Sequence, residues 1–258
     1  MKIALVLSYY GAAYHGWQRQ NNGMTIQELV ETAVEKTCGK PTYVSGCGRT
    51  DAGVHAKYYV ASMELDTSIP MERLPAALNA RLPYDVVIHK AVQVPDDFDA
   101  RFSCVCKEYT YVIHNARTRD PFTVDRAYFY SRPLDADAMH RAAQHFVGKQ
   151  DFAAVKNEGT PVKSTVRTIY YCNVERRGDR IYIRVCADGF LYNMVRSIAG
   201  TLMYCGVGKI APEAIPAILA SGDREQAGPT APACGLYMSA LTYNMEALDG
   251  CANETYDE

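Results

Sequence analysis

Apolar residues in this chain switch repeatedly between a period of two and a period of about 3.6, and no stretch of either is long. Ile3, Leu5, Leu7 and Tyr9 alternate with smaller or polar residues, the pattern of an opening strand. Thr25-Ile26-Gln27-Glu28 has the form of a capping box, and Ile26, Leu29, Val30, Ala33, Val34 and Cys38 follow at helical spacing. Gly39-Lys40-Pro41 stops that helix. The spacing predicts strands over 42–47, 55–65 and 85–94, with a short helix over 71–80. Beyond residue 100 it predicts strands over 104–114 and 127–131. It then predicts a helix capped by Asp135, with Met139, Ala142, Ala143, Phe146 and Val147 as its stripe. Strands over 166–176 and 180–187 are joined by the hairpin signal Arg177-Gly178. Helices over 190–205 and 212–220 and a last strand over 236–243 complete the body. Interleaving this short reads as an α+β fold: two similar lobes of mostly antiparallel sheet with helices on one face, which leaves the other sheet face, or the cleft between lobes, free for a large ligand. The expected division is 1–103, 104–243 and an acidic tail over 244–258.

The chain has 258 residues, 48% of them hydrophobic, enough for one large core or two smaller ones. No apolar run approaches the ~20 residues of a membrane span. The apolar opening Ile3–Leu7 reaches Ser8-Tyr9-Tyr10 too soon for a signal peptide, so a cytoplasmic address is expected. Nine cysteines include no C-x-x-C pair, and the six histidines show no H-x-x-x-H spacing, so no metal is expected. The cysteines read as reduced thiols acting as small hydrophobes. A formal charge of −2 argues against a polyanionic partner, yet five carboxylates with no Lys or Arg lie in 244–258. Without them 27 basic residues face 24 acidic ones, about +3, which permits an RNA-binding face. We expect residues 244–258 to be disordered, since they form no periodic apolar face.

Chemistry concentrates in Gly46-Cys47-Gly48-Arg49-Thr50-Asp51-Ala52-Gly53-Val54-His55-Ala56. Three glycines within eight positions mark a loop where backbone comes close to other atoms. A dinucleotide fingerprint would need glycine where Asp51 stands, and Gly206-Val207-Gly208-Lys209 fails as a phosphate loop because Met203 and Ile210 occupy its first and last required positions. What remains is an arginine and a carboxylate two residues apart between strands. By itself this could be an ordinary turn, since aspartate often bonds backbone two residues on.

The segment also resembles, nearly letter for letter, the G-R-T-D-A-G-V-H signature of the tRNA pseudouridine synthase A family. Tyr14-His15-Gly16-Trp17-Gln18-Arg19-Gln20 is similar to that family's Y-x-G-W-Q-R-Q, and Pro95 to Ser103 to its P-x-x-F-x-A-R-F-S. Tyr109-Thr110-Tyr111 resembles its Y-x-Y strand. Phe190 to Gly200 resembles its F-x-x-x-M-V-R-x-I-x-G helix, and Gly235-Leu236-Tyr237 its late G-L-Y. The blocks keep the family's order from residue 1 to about 243; the acidic tail has no counterpart.

The resemblance implies a pseudouridine synthase fold whose cleft binds RNA. It implies isomerisation of uridine to pseudouridine in the tRNA anticodon arm, usually at tRNA positions thirty-eight to forty. It implies a homodimer that needs no cofactor, metal or nucleotide. Asp51 matches the essential aspartate, acting either as a nucleophile or by removing a proton next to C1′. Arg196 matches the arginine that pairs with it. Tyr109 would stack on the flipped uracil and Leu236 pack on its other face, while Arg49 would fill the space the nucleotide vacates and hold its phosphate. Arg101, Lys163 and Arg167 are candidates for contacts with the RNA backbone. Two other readings stay open on the residues alone. A nucleoside hydrolase could pair Asp51 with an acid from Asp96, Asp97 or Asp99, and a non-catalytic RNA-binding module could use the sheets and the 19 tyrosines.

Overall fold

A computed structural model describes residues 1–157 and 162–251. In chain order the strands and helices are β1 (Lys2–Tyr9), α1 (Ile26–Cys38), β2 (Ser45–Gly46), β3 (His55–Glu64), α2 (Leu74–Asn79), β4 (Val86–Gln93), β5 (Cys106–His114), β6 (Tyr128–Phe129), α3 (Ala136–Gln144), β7 (Gly148–Asp151), β8 (Val166–Arg177), β9 (Arg180–Ala187), α4 (Met194–Gly206), α5 (Ile215–Ser221), β10 (Leu236–Thr242) and β11 (Gly250–Cys251). The fold is mixed α+β. The chain divides into two compact units, one of residues 1–105 with the described residues from 237 on, the other of 106–236. The first unit is therefore discontinuous in sequence.

The first unit carries strands in the order β4-β1-β3-β10, with β2 on β3 and β11 on β10. β1 runs antiparallel to β3 from Lys2↔Glu64 to Tyr9↔Ala56, and antiparallel to β4 from Ile3↔Gln93 to Tyr9↔Val86. β10 joins β3 in parallel at Tyr237↔His55. Ile3, Leu5 and Leu7 are buried, but so are Ala4 and Val6. The small size of the alternate residues thus reflects close packing on both faces of β1 rather than contact with water. Thr25 caps α1 by accepting the Glu28 N–H at 3.4 Å. The Glu28 carboxylate lies 3.5 Å from Arg19, so the box's return side chain is engaged by a neighbouring arginine. Gly39 ends α1 in the left-handed region at φ 77°, where a side chain would be strained.

The expected disorder of 244–258 is corrected over its described part. Leu248 is completely buried, Tyr58 donates to the Leu248 carbonyl at 3.1 Å, Lys90 donates to that of Ala247, and β11 pairs with β10. One leucine, with no apolar periodicity around it, is enough to dock the segment. The expectation for 252–258 lies outside the described residues.

The second unit carries β5-β9-β8-β7, with β6 parallel to β5. β5 pairs with β9 from Lys107↔Ala187 to His114↔Arg180, and β8 with β9 up to Arg177↔Arg180, which leaves Gly178-Asp179 as the turn. Asp135 caps α3 by accepting from Ala138 N–H at 2.9 Å, and Met139, Ala142, Ala143 and Phe146 are buried. Val147, placed in the same stripe by its spacing, follows the helix end and is exposed. α4 packs on α3 and β5 and is buried around most of its circumference. It begins at Met194 rather than near 190 because Asn193 is left-handed at φ 59°, a conformation asparagine tolerates, and this turns Phe190–Asn193 out of the helix. β7, with the sequence Gly-Lys-Gln-Asp, has no apolar alternation to announce it.

Candidate active site

The loop leaving β2 at Gly46 and entering β3 at His55 is shaped by the two segments that precede α1. Trp17 N–H donates to the Thr50 carbonyl at 3.2 Å, and Gly53 N–H to that of Tyr14 at 3.2 Å. Gly11 N–H donates to His55 Nδ1 at 2.9 Å, and the Thr50 hydroxyl shares a 3.0 Å hydrogen bond with the Tyr9 hydroxyl. A turn bond from Val54 N–H to the Asp51 carbonyl closes the loop on itself at 3.1 Å. Two glycines are required by this closeness. A Cβ on Gly16 would stand 2.2 Å from the Thr50 oxygen, and one on Gly11 would stand 1.9 Å from that of Val54.

The side chains continue the support. Trp17 is buried and stacks on Tyr59 with ring centroids 4.3 Å apart. Tyr59 in turn donates to the Gly48 carbonyl. His55 lies between the rings of Tyr10 and Tyr237, at 4.8 and 4.7 Å. Thr50 and Val54 are thus buried while Asp51 between them is half-buried and Arg49 is exposed. With each hydrogen bond worth about 0.5–1.5 kcal/mol net, the backbone on both sides of Asp51 is fixed while the residue itself is only half-buried. A nucleophile or base needs this combination, because a small misplacement of a reacting group is costly.

Arg101 sits on a separate turn of the same unit. The Asp99 carboxylate accepts from the N–H groups of Arg101 and Phe102 at 2.8 and 2.9 Å, and Ser103 N–H closes on the Asp99 carbonyl. Ala100 is buried, with its N–H on Ser62 Oγ and its carbonyl accepting from Tyr243. That anchored turn displays Arg101 and Phe102 at the surface, with the guanidinium 5.3 Å from the ring centre.

In the second unit Tyr109, opposite Val185 on β9, is nearly buried and meets Phe190 edge-on at 5.1 Å and 89°. Phe190 is the wall against which that tyrosine is set, a role the sequence did not single out although it opens the α4 motif. Arg196 on the first turn of α4 donates from Nε to the Ala231 carbonyl at 2.7 Å and from a terminal nitrogen to Asn193 Oδ1 at 2.8 Å. Burial pushes the Tyr111 phenol well above its usual range, and the positive charge of Arg196 works against that rise. Tyr111 donates to the Pro232 carbonyl at 2.8 Å. Gly235 has no room for a side chain, since a Cβ would stand 2.7 Å from the Val112 oxygen, and buried Leu236 follows it. Arg196 and the 231–236 segment are therefore gathered in one place. Lys163 is exposed, whereas the half-buried Arg167 spends one terminal nitrogen on the carbonyls of Ser164 and Val166 at 3.0 and 2.7 Å.

The predicted residues thus fall in two groups: Arg49, Asp51 and Arg101 in the first unit, Tyr109, Lys163, Arg167, Arg196 and Leu236 in the second. Among the described residues no group of three or more His, Cys, Asp and Glu side chains could hold a metal ion. No described helix is long and apolar enough to cross a membrane.

Comparison with known proteins follows the same lines. A family model described as tRNA pseudouridine synthase matches residues 5–103 and 142–244. The chain is 44% identical over 241 residues to tRNA pseudouridine synthase A of Thermoanaerobacter sp. (strain X514), covering 93% of this chain and 99% of the relative. It is 44% identical over 243 residues to tRNA pseudouridine synthase A 2 of Clostridium perfringens (strain 13 / Type A), covering 93% and 99%. Among solved structures, a chain in the crystal structure of a Cbf5-Nop10-Gar1 complex aligns with 92% of this chain and 48% of its own length, at 14% identity and a TM-score of 0.38. On the family match and the extent of these identities, the chain belongs to the tRNA pseudouridine synthase family.

Proposed function

We propose that this tRNA pseudouridine synthase acts on uridines of the anticodon arm, at tRNA positions thirty-eight to forty, as a cytoplasmic homodimer that needs no cofactor. In the isomerisation the N1–C1′ bond breaks and a C5–C1′ bond forms, while the C5 proton is lost and N1 regains one. Electrons and atoms balance within the nucleotide. Asp51 acts at the sugar, as a nucleophile or by removing a proton next to C1′. Arg196 pairs with it and keeps it charged and aimed. Tyr109 and Leu236 hold the two faces of the uracil, and Tyr109 helps remove the C5 proton after the ring turns. Arg49 occupies the space left by the flipped nucleotide, and Arg101, Lys163 and Arg167 contact the backbone, Arg167 through the nitrogens that its local bonds leave.

The observation that carries this reading is the Gly46–Ala56 loop. Its backbone is tied on both sides of Asp51 by the Tyr14–Gln20 block, while Asp51 itself is only half-buried. The test is to map pseudouridine by carbodiimide-stopped reverse transcription on tRNAs from a host lacking this gene, with and without the purified protein. Stops restored only at the three anticodon-arm positions support it. Stops restored elsewhere reject the assigned substrate positions, and release of free uracil rejects the isomerase chemistry.

A further inference from the structure

We propose that Arg224 is a positioning residue for the reaction: by locking the 228–231 segment against the start of α4, it sets the guanidinium of Arg196. This rests on the catalytic role proposed above for Arg196.

Arg224 lies outside every sequence block that suggested chemistry, in the short 3-10 turn Arg224–Gln226 after α5. Its guanidinium is shared among three acceptors: Asn157 Oδ1 at 2.9 Å, the Gly228 carbonyl at 2.7 Å and Thr230 Oγ1 at 3.0 Å. All three are neutral oxygens, so a half-buried charge is spent on orienting a loop rather than on cancelling a carboxylate. Desolvation lowers the pKa of Arg224 from its usual value, a cost of burial that its three hydrogen bonds work against. Thr230 is the hub, since its hydroxyl also meets Asn157 Nδ2 at 2.9 Å and Ser197 Oγ at 3.4 Å.

The far end of the same segment grips Arg196 twice. Ala231 N–H donates to the Arg196 carbonyl at 3.0 Å, and the Ala231 carbonyl accepts from Arg196 Nε at 2.7 Å. The first bond fixes the main chain and the second fixes the plane of the guanidinium. The segment between has no slack. A Cβ on Gly200 would stand 1.7 Å from the Pro229 oxygen, one on Gly228 would stand 2.4 Å from the Gly200 oxygen, and Gly228 N–H donates to Thr201 Oγ1 at 2.9 Å. A segment pressed this closely on α4 passes a displacement at Thr230 on to Ala231, one residue away. Arginine is needed because only its planar fork reaches three divergent acceptors at once; lysine offers a single point charge.

The experiment compares Arg224→Lys, Arg224→Ala and Thr230→Val with Leu219→Ala, which removes a buried α5 side chain that makes none of the network's hydrogen bonds. Melting temperature, tRNA affinity, and kcat and KM on anticodon-arm substrate are measured for each. Arg224→Lys and Arg224→Ala should lower kcat by roughly 10- to 100-fold, as for a misplaced reacting group. Thr230→Val should lower it less, and tRNA affinity and KM should stay within about twofold throughout. Leu219→Ala, at a comparable loss of melting temperature, should keep wild-type kcat. If the Arg224 variants lose stability and keep kcat, or if KM and affinity suffer while kcat holds, the proposal is overturned. Should Arg224→Ala fail to fold, the Thr230→Val and Arg224→Lys arms decide. Arg196→Lys separates this from the reading beneath it. Full activity there removes the catalytic role of Arg196, whereas full activity only in the Arg224 arms removes the link.

Discussion

Replacing Leu248 by alanine tests whether the chain beyond β10 is part of the first unit's core or a solvated acidic tail. Its side chain is completely buried, and Leu→Ala substitutions in cores cost ~2–5 kcal/mol. The neighbouring segment is held by Lys90 and Tyr58 on the carbonyls of Ala247 and Leu248, the Asp249 carboxylate on Tyr243 N–H, a turn closed by Leu248 and Asp249 N–H on the Met245 carbonyl, and the two-residue pairing of β11 with β10. A segment anchored so lightly can collapse into part of the space, which favours the lower end of that range, about 2–3 kcal/mol. At ~2–4 °C per kcal/mol for a chain of this size, the melting temperature should fall by roughly 5–10 °C. The drop should be nearly independent of salt, because a methylene cavity carries no charge. Ending the chain after Cys251 provides the contrast. It removes Glu254, Asp257 and Glu258, moves the formal charge from −2 to about +1, and leaves Leu248 in place. That truncation should tighten tRNA binding slightly at low salt, with the gain fading as salt rises. Thermal melts and tRNA affinities at two salt concentrations read both effects. An unchanged melting temperature in Leu248→Ala, together with tighter low-salt binding, would refute the packing argument and restore the solvated tail.

Asp51→Asn should abolish turnover while melting temperature and tRNA affinity stay near wild type, since the substitution is close to isosteric and the loop backbone is tied by main-chain bonds; residual activity above a tenth of wild type would sink the assignment. Arg196→Met should reduce kcat by at least about 100-fold and cost stability through its bonds to Ala231 and Asn193, at ~0.5–1.5 kcal/mol each. Stability and turnover both at wild-type levels would count against it. Activity should survive EDTA and exhaustive dialysis when assayed on prefolded, spermidine-stabilised tRNA. Loss restored by zinc under those conditions would reveal a metal site.

Most element positions were legible because their signals are local. Thr25 and Asp135 act as caps, Gly39 ends α1, and Gly178 opens the β8–β9 turn as their chemistry suggests. Where the reading fell short, the deciding contacts lie far apart in sequence. β10 joins β3 across more than half the chain, and Leu248 docks without a periodic partner. β1 reads as one-sided although Ala4 and Val6 are also buried, because a small residue facing close packing looks like one facing solvent. The start of α4 was misplaced by the left-handed turn at Asn193, which no period reveals. Arg224 could not have been found by pattern, since its three acceptors come from Asn157, Gly228 and Thr230.

The sequence blocks that look alike as motifs do two different jobs. Tyr14–Gln20 contributes no group to the chemistry proposed here. Trp17 and Gly16 instead lie against the Thr50 carbonyl, one donating to it and the other leaving it room. In the α4 block, likewise, only Arg196 is assigned to the reaction. Gly200 makes space for the Pro229 carbonyl, and Ser197 contacts Thr230. Both units therefore seat one charged side chain by pressing a second segment against its backbone, with glycine wherever two main chains come closer than a Cβ allows. A seat of this kind fixes the main chain from which the reacting group projects, so substitutions in the seat should lower turnover before they lower RNA affinity. It follows that the glycines at 16 and 200 report on the geometry of Asp51 and Arg196 as directly as the charged residues do, although neither has a side chain to contribute.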